Sequence, residues 1–209
     1  MPDARGRAVG ALTPSPWDPS LDVQTMLGAY LRGWFPMDVP GATGPMTFYE
    51  CDPRVVMPIE DFRVPRSVAR AMRREPYDIR MDTAFAEVAR ACGGERDGEW
   101  LTPRLVDAYI RLHEAGWAHS VEAWRDRRLC GGLFGVAIGG LFTSETMFHR
   151  EDGAGNAALV GTAGLLARLG FRLWDIQALS DHTARFGAHG ISPEEYRLRL
   201  EDAVHARRG

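Results

Sequence analysis

AHSVEAWRDRRLCGGLFGVAIGGLFTSETMF, residues 118–148, reads as three strands joined by two tight turns. His119 to Trp124 alternates as a strand does, Arg125 to Arg128 is a turn, and Leu129 to Ile138 is a second strand. Gly139-Gly140 turns the chain again into Leu141 to Phe148. Downstream, the spacing predicts a helix that starts near Gly155, runs from Ala157 to Leu169 and is closed by Gly170. The strand Leu173-Trp174-Asp175-Ile176-Gln177, the turn-prone Ser180-Asp181-His182 and a last helix from Pro193 to Ala206 follow.

Upstream, residues 1 to about 20 are rich in Pro, Gly and Ala without periodicity and predict a loose or wrapped arm. A short helix is expected from Asp22 to Leu31, ended by Gly33, then a Gly/Pro-rich loop from Pro40 to Pro45 leading to Thr47-Phe48-Tyr49. Cys51-Asp52-Pro53-Arg54 reads as a turn and a domain seam, which divides the chain into a small N-terminal domain, 1–52, and a larger one, 53–209. In the larger part Arg66 to Arg74 is helical, Tyr77 to Met81 extended, and Asp82 to Cys92 and Thr102 to Ala115 helical, the last with a Thr102-Pro103 start. Helices, an antiparallel meander, a helix, a strand and a final helix make the order of an acetyltransferase-like (GNAT-type) α/β sheet, mixed and flanked by helices.

Composition narrows the class. The 209 residues are 45% hydrophobic with a net charge of −3, which suits a globular protein and does not suit one that coats nucleic acid over its whole surface. Every basic residue is arginine, whose fixed charge can fork onto phosphates wherever it clusters. Cys51, Cys92 and Cys130 are odd in number and far apart, without metal-ligand spacing, which points to a reducing compartment. No apolar run approaches the ~20 residues of a membrane span and the first residues lack a signal-peptide core, so a soluble cytoplasmic protein is expected.

Several residue sets could carry chemistry. Asp175 and Gln177 alternate onto one strand face near a strand end, where α/β proteins open their crevice; two hydrogen-bonded core polars would look the same. Arg150-Glu151-Asp152-Gly153-Ala154-Gly155 fits the diphosphate loop of acetyltransferases, although Glu151 and Asp152 would sit beside the diphosphate unless they turn away. Arg66, Arg70, Arg73 and Arg74, with Arg63 nearby, recur at helical spacing, as either a solvated face or a phosphate footprint. Trp100 follows the polar stretch 93–99 and suits a cleft rim, and Glu145 among apolar neighbours needs a cationic partner or bears a desolvation penalty.

Gly33-Trp34-Phe35-Pro36, Asp52-Pro53-Arg54, Trp100-Leu101-Thr102, Ala118-His119-Ser120-Val121-Glu122, Gly131-Gly132-Leu133-Phe134-Gly135-Val136, Glu145-Thr146-Met147-Phe148, Asp175-Ile176-Gln177 and His182 with Gly187-Ala188 occur in order. Together with Tyr109 to Glu114 they resemble the leucyl/phenylalanyl-tRNA-protein transferases over nearly the whole chain. The resemblance implies that an acetyltransferase-like fold uses aminoacyl-tRNA in place of a CoA thioester. The reaction moves Leu or Phe, and less readily Met, onto the N-terminal α-amine of proteins that begin with Arg or Lys, marking them for degradation under the N-end rule. It is the aminolysis of an already activated ester, so no cofactor and no metal is implied, and a monomer is expected. An acetyl-CoA-dependent N-acetyltransferase and a non-catalytic tRNA-binding protein are the alternatives.

Carried over residue by residue, the resemblance makes Asp175 and Gln177 the catalytic pair and Glu145 the partner of the acceptor's cationic side chain. It makes Leu133, Phe142, Met147, Leu159 and Trp174 the aminoacyl pocket. Trp100 lies near the tRNA 3′ end or cleft rim, and Arg66, Arg70, Arg73 and Arg74 take the tRNA backbone. The sequence departs from the family at Met37 where FPW is usual, at Tyr49-Glu50-Cys51 where WSP is usual, at the large Trp174, and at Gly155-Asn156 where a Ser-Lys pair is usual. These changes bear on donor and acceptor preference and leave Glu145, Asp175 and Gln177 untouched.

Overall fold

The computed structural model describes residues 11–15, 20–41, 43–93 and 100–206. In chain order the elements are β1 (Ala11–Pro14), α1 (Val23–Tyr30), β2 (Phe35–Met37), β3 (Thr47–Asp52), β4 (Arg54–Met57), α2 (Arg66–Arg74), β5 (Asp78–Met81), α3 (Phe85–Gly93) and α4 (Pro103–Glu114). They continue with β6 (Ala118–Arg125), β7 (Arg128–Ile138), β8 (Leu141–His149), α5 (Ala154–Arg168), β9 (Leu173–Gln177), α6 (Asp181–Ala184), β10 (His189–Ile191) and α7 (Pro193–His205). A three-stranded sheet runs β1-β3-β2 and a seven-stranded sheet runs β10-β4-β9-β8-β7-β6-β5.

The expected meander is β6-β7-β8. Its first turn places Asp126 and Arg127 at positive φ, 49° and 62°, the mirror-image turn whose twist matches the strands it joins. Among the described residues only β8 and β9 pair in parallel, and a parallel neighbour requires a crossover, which α5 supplies. The large sheet is buried on both faces. One side carries a cluster in which Phe134, Val136 and Phe148 meet Phe85, Leu105 and Tyr109 of α3 and α4 together with Met26, Tyr30, Phe35 and Phe48. Its other side carries Leu133, Phe142 and Trp174 against Leu159, Ala163 and Leu166 of α5 and Val68 of α2.

Several details differ from the sequence reading. Part of the expected N-terminal arm, Ala11–Pro14, is an exposed edge strand paired with β3; residues 1–10 and 16–19 lie outside the described residues, as do 94–99 of the polar stretch before Trp100. The helix expected from Asp82 begins at Phe85, because Asp82 takes φ 56° and its carboxylate accepts from the Ser120 backbone N–H at 2.8 Å. The cap comes from β6: the buried Glu122 carboxylate accepts from the Ala84 N–H at 2.8 Å and from the Thr83 hydroxyl. The turn-prone 180–182 opens a short helix, α6, capped at its start by a capping box between Ser180 and Thr183. Cys51-Asp52, expected as a turn, end β3, and β2, β4 and the edge strand β10 beside β4 were not foreseen.

Candidate active site

The parallel pairing of β8 and β9 extends only to Thr143 opposite Asp175, after which the strands part. A crevice at the carboxyl ends of parallel strands is where α/β sheets take ligands. Two bulges shape it. Phe134 faces Thr146 and Gly135 faces Ser144, so Glu145 is an extra residue in β8; Val55 faces Gln177 and Val56 faces Asp175, so Ile176 is extra in β9. A bulge re-aims side chains. It turns Glu145 toward the α1 and α4 side, while Met147 packs with the opposite cluster. Gly135 is required there, since a Cβ would lie 2.3 Å from the Thr143 carbonyl oxygen.

Glu145 and Gln177 meet across the parting strands, with Gln177 Nε2 donating to Glu145 Oε2 at 3.4 Å. Tyr30 from α1 donates its hydroxyl to Glu145 Oε1 at 2.7 Å and lies 2.8 Å from the Tyr109 hydroxyl of α4. Burial pushes the Glu145 carboxyl up to about 7, against the lowering effect of the hydrogen bonds from Tyr30 and Tyr109. Gln177 takes φ 55° at the strand end, and its backbone N–H donates to Asp175 Oδ1 at 2.9 Å.

Asp175 is fully buried and enclosed by donors. Arg54 Nε reaches Oδ1 at 2.9 Å, Arg54 Nη2 reaches Oδ2 at 2.5 Å, and the Tyr196 hydroxyl of α7 reaches Oδ2 at 2.8 Å. The guanidinium lies between the rings of Phe35 and Tyr196, 4.8 and 4.7 Å from their centroids, and donates to the Gly33 carbonyl at 2.9 Å. Burial alone would lower the Arg54 pKa, but the Asp175 charge outweighs it and the guanidinium is held more firmly protonated than usual. This is a bidentate buried pair with its remaining hydrogen bonds satisfied.

The five residues expected to form an aminoacyl pocket come together on the α5 side. Leu133, Phe142, Leu159 and Trp174 are buried in one cluster, with Met147 partly buried against it. Trp174 stacks on Phe62 at 5.7 Å and donates its indole N–H to Ser144 at 2.8 Å. Trp100 is elsewhere, half-buried against the α3 and α4 cluster, with its carbonyl accepting from the Asp38 N–H at 3.0 Å.

Arg66, Arg70, Arg73 and Arg74 are exposed on α2, and only Arg74 has an ion-pair partner among the described residues, Glu75. Arg70 and Arg74 line a cavity of about 620 Å³ with Tyr77, Arg185, Gly153 and Asn156 at the start of α5. Asn156 Oδ1 lies 2.7 Å from His182 Nε2 of α6. Glu151 does turn away from the start of α5, toward Arg125 and Arg128.

Sequence reasoning missed Arg54, Tyr196, Tyr30 and Tyr109 as parts of the site. One signal was present for Arg54: an arginine opening the apolar strand Arg54-Val55-Val56-Met57 must be paired once buried. Among the described residues no helix is long and apolar enough to cross a membrane.

A family model described as leucyl/phenylalanyl-tRNA protein transferase matches residues 56–201. Relatives named leucyl/phenylalanyl-tRNA–protein transferase include one from Thiobacillus denitrificans, 44% identical over 88% of this chain and 82% of its own length. Another, from Akkermansia muciniphila, is 41% identical over 88% of this chain and 96% of its own. Among solved structures, L-PGS from Bacillus licheniformis aligns at 10% identity over 83% of this chain and 67% of that one, with a TM-score of 0.47. A GCN5-related glucosamine N-acetyltransferase region of a fungal multi-domain beta-N-acetylglucosaminidase aligns at 13% identity over 85% of this chain and 23% of that one, with a TM-score of 0.48.

Proposed function

The chain belongs to the leucyl/phenylalanyl-tRNA–protein transferase family, and on that premise we propose that it transfers Leu or Phe, and less readily Met, from aminoacyl-tRNA to the N-terminal α-amine of proteins beginning with Arg or Lys. The observation that carries this reading is the Glu145–Gln177 contact at the mouth of the crevice between β8 and β9. A carboxylate and an amide so paired would suit the holding of an amine against an acyl carbon.

The chemistry is aminolysis. The amine nitrogen attacks the ester carbonyl, an N–C bond forms, the C–O bond to the tRNA ribose breaks, and one proton passes from nitrogen to the departing oxygen. An α-amine has a pKa near ~8, so a useful fraction is neutral near pH 7 and the site's task is chiefly orientation with modest base assistance. Gln177 Oε1 would accept from the amine and so aim its lone pair, and Asp175 would hold Gln177 in its strained backbone conformation.

The aminoacyl side chain would enter the apolar region of Leu133, Phe142, Met147, Leu159 and Trp174, where Met147 is only partly buried. Apolar walls discriminate by size, by about 1–3 kcal/mol per methylene, so Trp174 would favour the slimmer donors. The exposed α2 arginines would take tRNA phosphates, with Arg70 and Arg74 nearest the start of α5, and Trp100 would rim the cleft on the α4 side. The protein would act as a cytoplasmic monomer without a cofactor. Labelled Leu or Phe should pass from its tRNA to an Arg-initiated peptide; no transfer from either donor would overturn the reading.

A further inference from the structure

We infer that the cavity between α2 and the start of α5 takes a phosphodiester from the unpaired 3′ end of the donor tRNA, and that Arg185, outside the α2 stripe, is one of the two cations that hold it. The inference rests on the transferase reading for the identity of the RNA. It deepens that reading by separating a single-strand subsite from the surface that meets the duplex.

Ser67, Arg70 and Arg74 fall three and four positions apart and so share one face of α2, the face that lines the cavity. Arg66 and Arg73 do not line it. Arg185, which closes α6, reaches α2 from another part of the chain, its Nη2 donating to Ser67 Oγ at 3.4 Å. The lining carries three arginines against two acids, Glu75 and Asp152. Glu75 is engaged by Arg74 at 3.0 Å and lies 4.0 Å from Arg125. Arg70 and Arg185 have no ion-pair partner among the described residues, so two guanidinium forks stand open at one cavity. A phosphate is the group such forks fit.

Size and surroundings select the occupant. A cavity of about 620 Å³ suits a group of small-molecule size, which a splayed single strand can offer and a duplex backbone running over the surface cannot. Val68 and Met72 give the cavity an apolar side, and both pack in the cluster that holds Leu133, Phe142, Leu159 and Trp174. Met147 is close as well: a Cβ on Gly155, the residue before Asn156, would lie 3.8 Å from its sulfur. The cavity therefore adjoins the region proposed for the aminoacyl side chain. A strand whose terminal ester lies in the crevice between β8 and β9 would bring its last phosphates toward Arg70 and Arg185.

The diphosphate of CoA shares this chemistry, so the test distinguishes the two sources. Leucine tRNA, intact or with its unpaired 3′ nucleotides removed, is titrated at several salt concentrations against the parent, Arg185→Ala, Arg185→Lys and Arg73→Ala, with CoA titrated in parallel. Arg185→Ala should weaken binding of intact tRNA about fivefold and reduce the slope of log K against log salt by about 0.7, the share of one single-strand phosphate. Binding of the trimmed tRNA should not change. Arg185→Lys keeps the charge and should keep the slope, while Arg73→Ala, off the cavity, should weaken both RNAs by one factor. An equal loss for intact and trimmed tRNA in Arg185→Ala would place Arg185 on the duplex and overturn the inference, as would no loss with either. CoA binding as tight as that of tRNA, and lost in Arg185→Ala, would give the cavity to a cofactor and overturn it too. A parent that binds intact tRNA through Arg185 yet transfers nothing to an Arg-initiated peptide would overturn the transferase reading but not the RNA site.

Discussion

Glu145 bears a stability cost that a neutral side chain would not. Its carboxyl titrates near 7 in the folded chain, above the ordinary value of 4.5, so between those values the folded state binds more proton than the unfolded state. Stability contributed through this group therefore falls as pH rises from about 4.5 to 7 and stays lost above it. Glu145→Gln should gain about 1–3 kcal/mol relative to the parent at pH 8 and nothing near pH 4. Thermal unfolding at the two pH values checks this, and an equal shift at both would contradict it. Single residues of the site were unevenly legible in the sequence. The Asp-x-Gln spacing and an isolated Glu145 among apolar neighbours could be read, because a polar side chain in an apolar run must be satisfied or used. The pairing that decides what Asp175 can do was hidden, because Arg54 lies 121 positions away and Tyr196 joins from the last helix.

At the scale of elements, α2 carries the clearest division between fold and function. Arg66, Arg70 and Arg73 make no ion pair among the described residues, and the helix is anchored through Val68 and Met72. Replacing any of the three by Ala should change folding stability by no more than about 0.5 kcal/mol. Each replacement should weaken tRNA binding and reduce the salt dependence of log K by about one counterion. Titration of tRNA at several salt concentrations reads both, and an unchanged slope would remove the arginine from the interface. The bounds of this helix matched the sequence because Pro65 precedes it and its arginines mark one continuous face. The meander and the end of α5 were equally legible, through alternation and the glycines at 139 and 170. The bulges at Glu145 and Ile176 were not, since one extra residue in a strand alters pairing without altering composition. Nor was the start of α3, whose cap is a glutamate 38 residues further along the chain.

For the molecule as a whole, the consequential link is between the first helix and the sheet. Tyr30 belongs to α1, beside the small sheet, yet its hydroxyl reaches Glu145 on β8 and Tyr109 on α4, and one hydrophobic cluster encloses all these elements. The seam expected at residues 51–54 marks where the chain passes from the small sheet to the large one, but the sequence held no sign that α1 would supply a donor to a carboxylate 115 positions away. A buried O–H to carboxylate hydrogen bond favours the ionised acid. Tyr30→Phe should therefore raise the Glu145 pKa and keep that carboxyl neutral to higher pH, so that, with Glu145 pairing with the acceptor's cation, the KM for an Arg-initiated peptide rises at pH 6.5 and recovers toward the parent value at pH 8.5. A KM raised by the same factor at every pH would mean that Tyr30 only supports the fold. Tyr109→Phe should act in the same direction, since its hydroxyl also helps to hold Glu145 down. A KM that rose at pH 8.5 and not at pH 6.5 in either variant would show that the tyrosine hydroxyls do not stabilise the Glu145 carboxylate, and the small N-terminal part would then have no electrostatic share in acceptor binding.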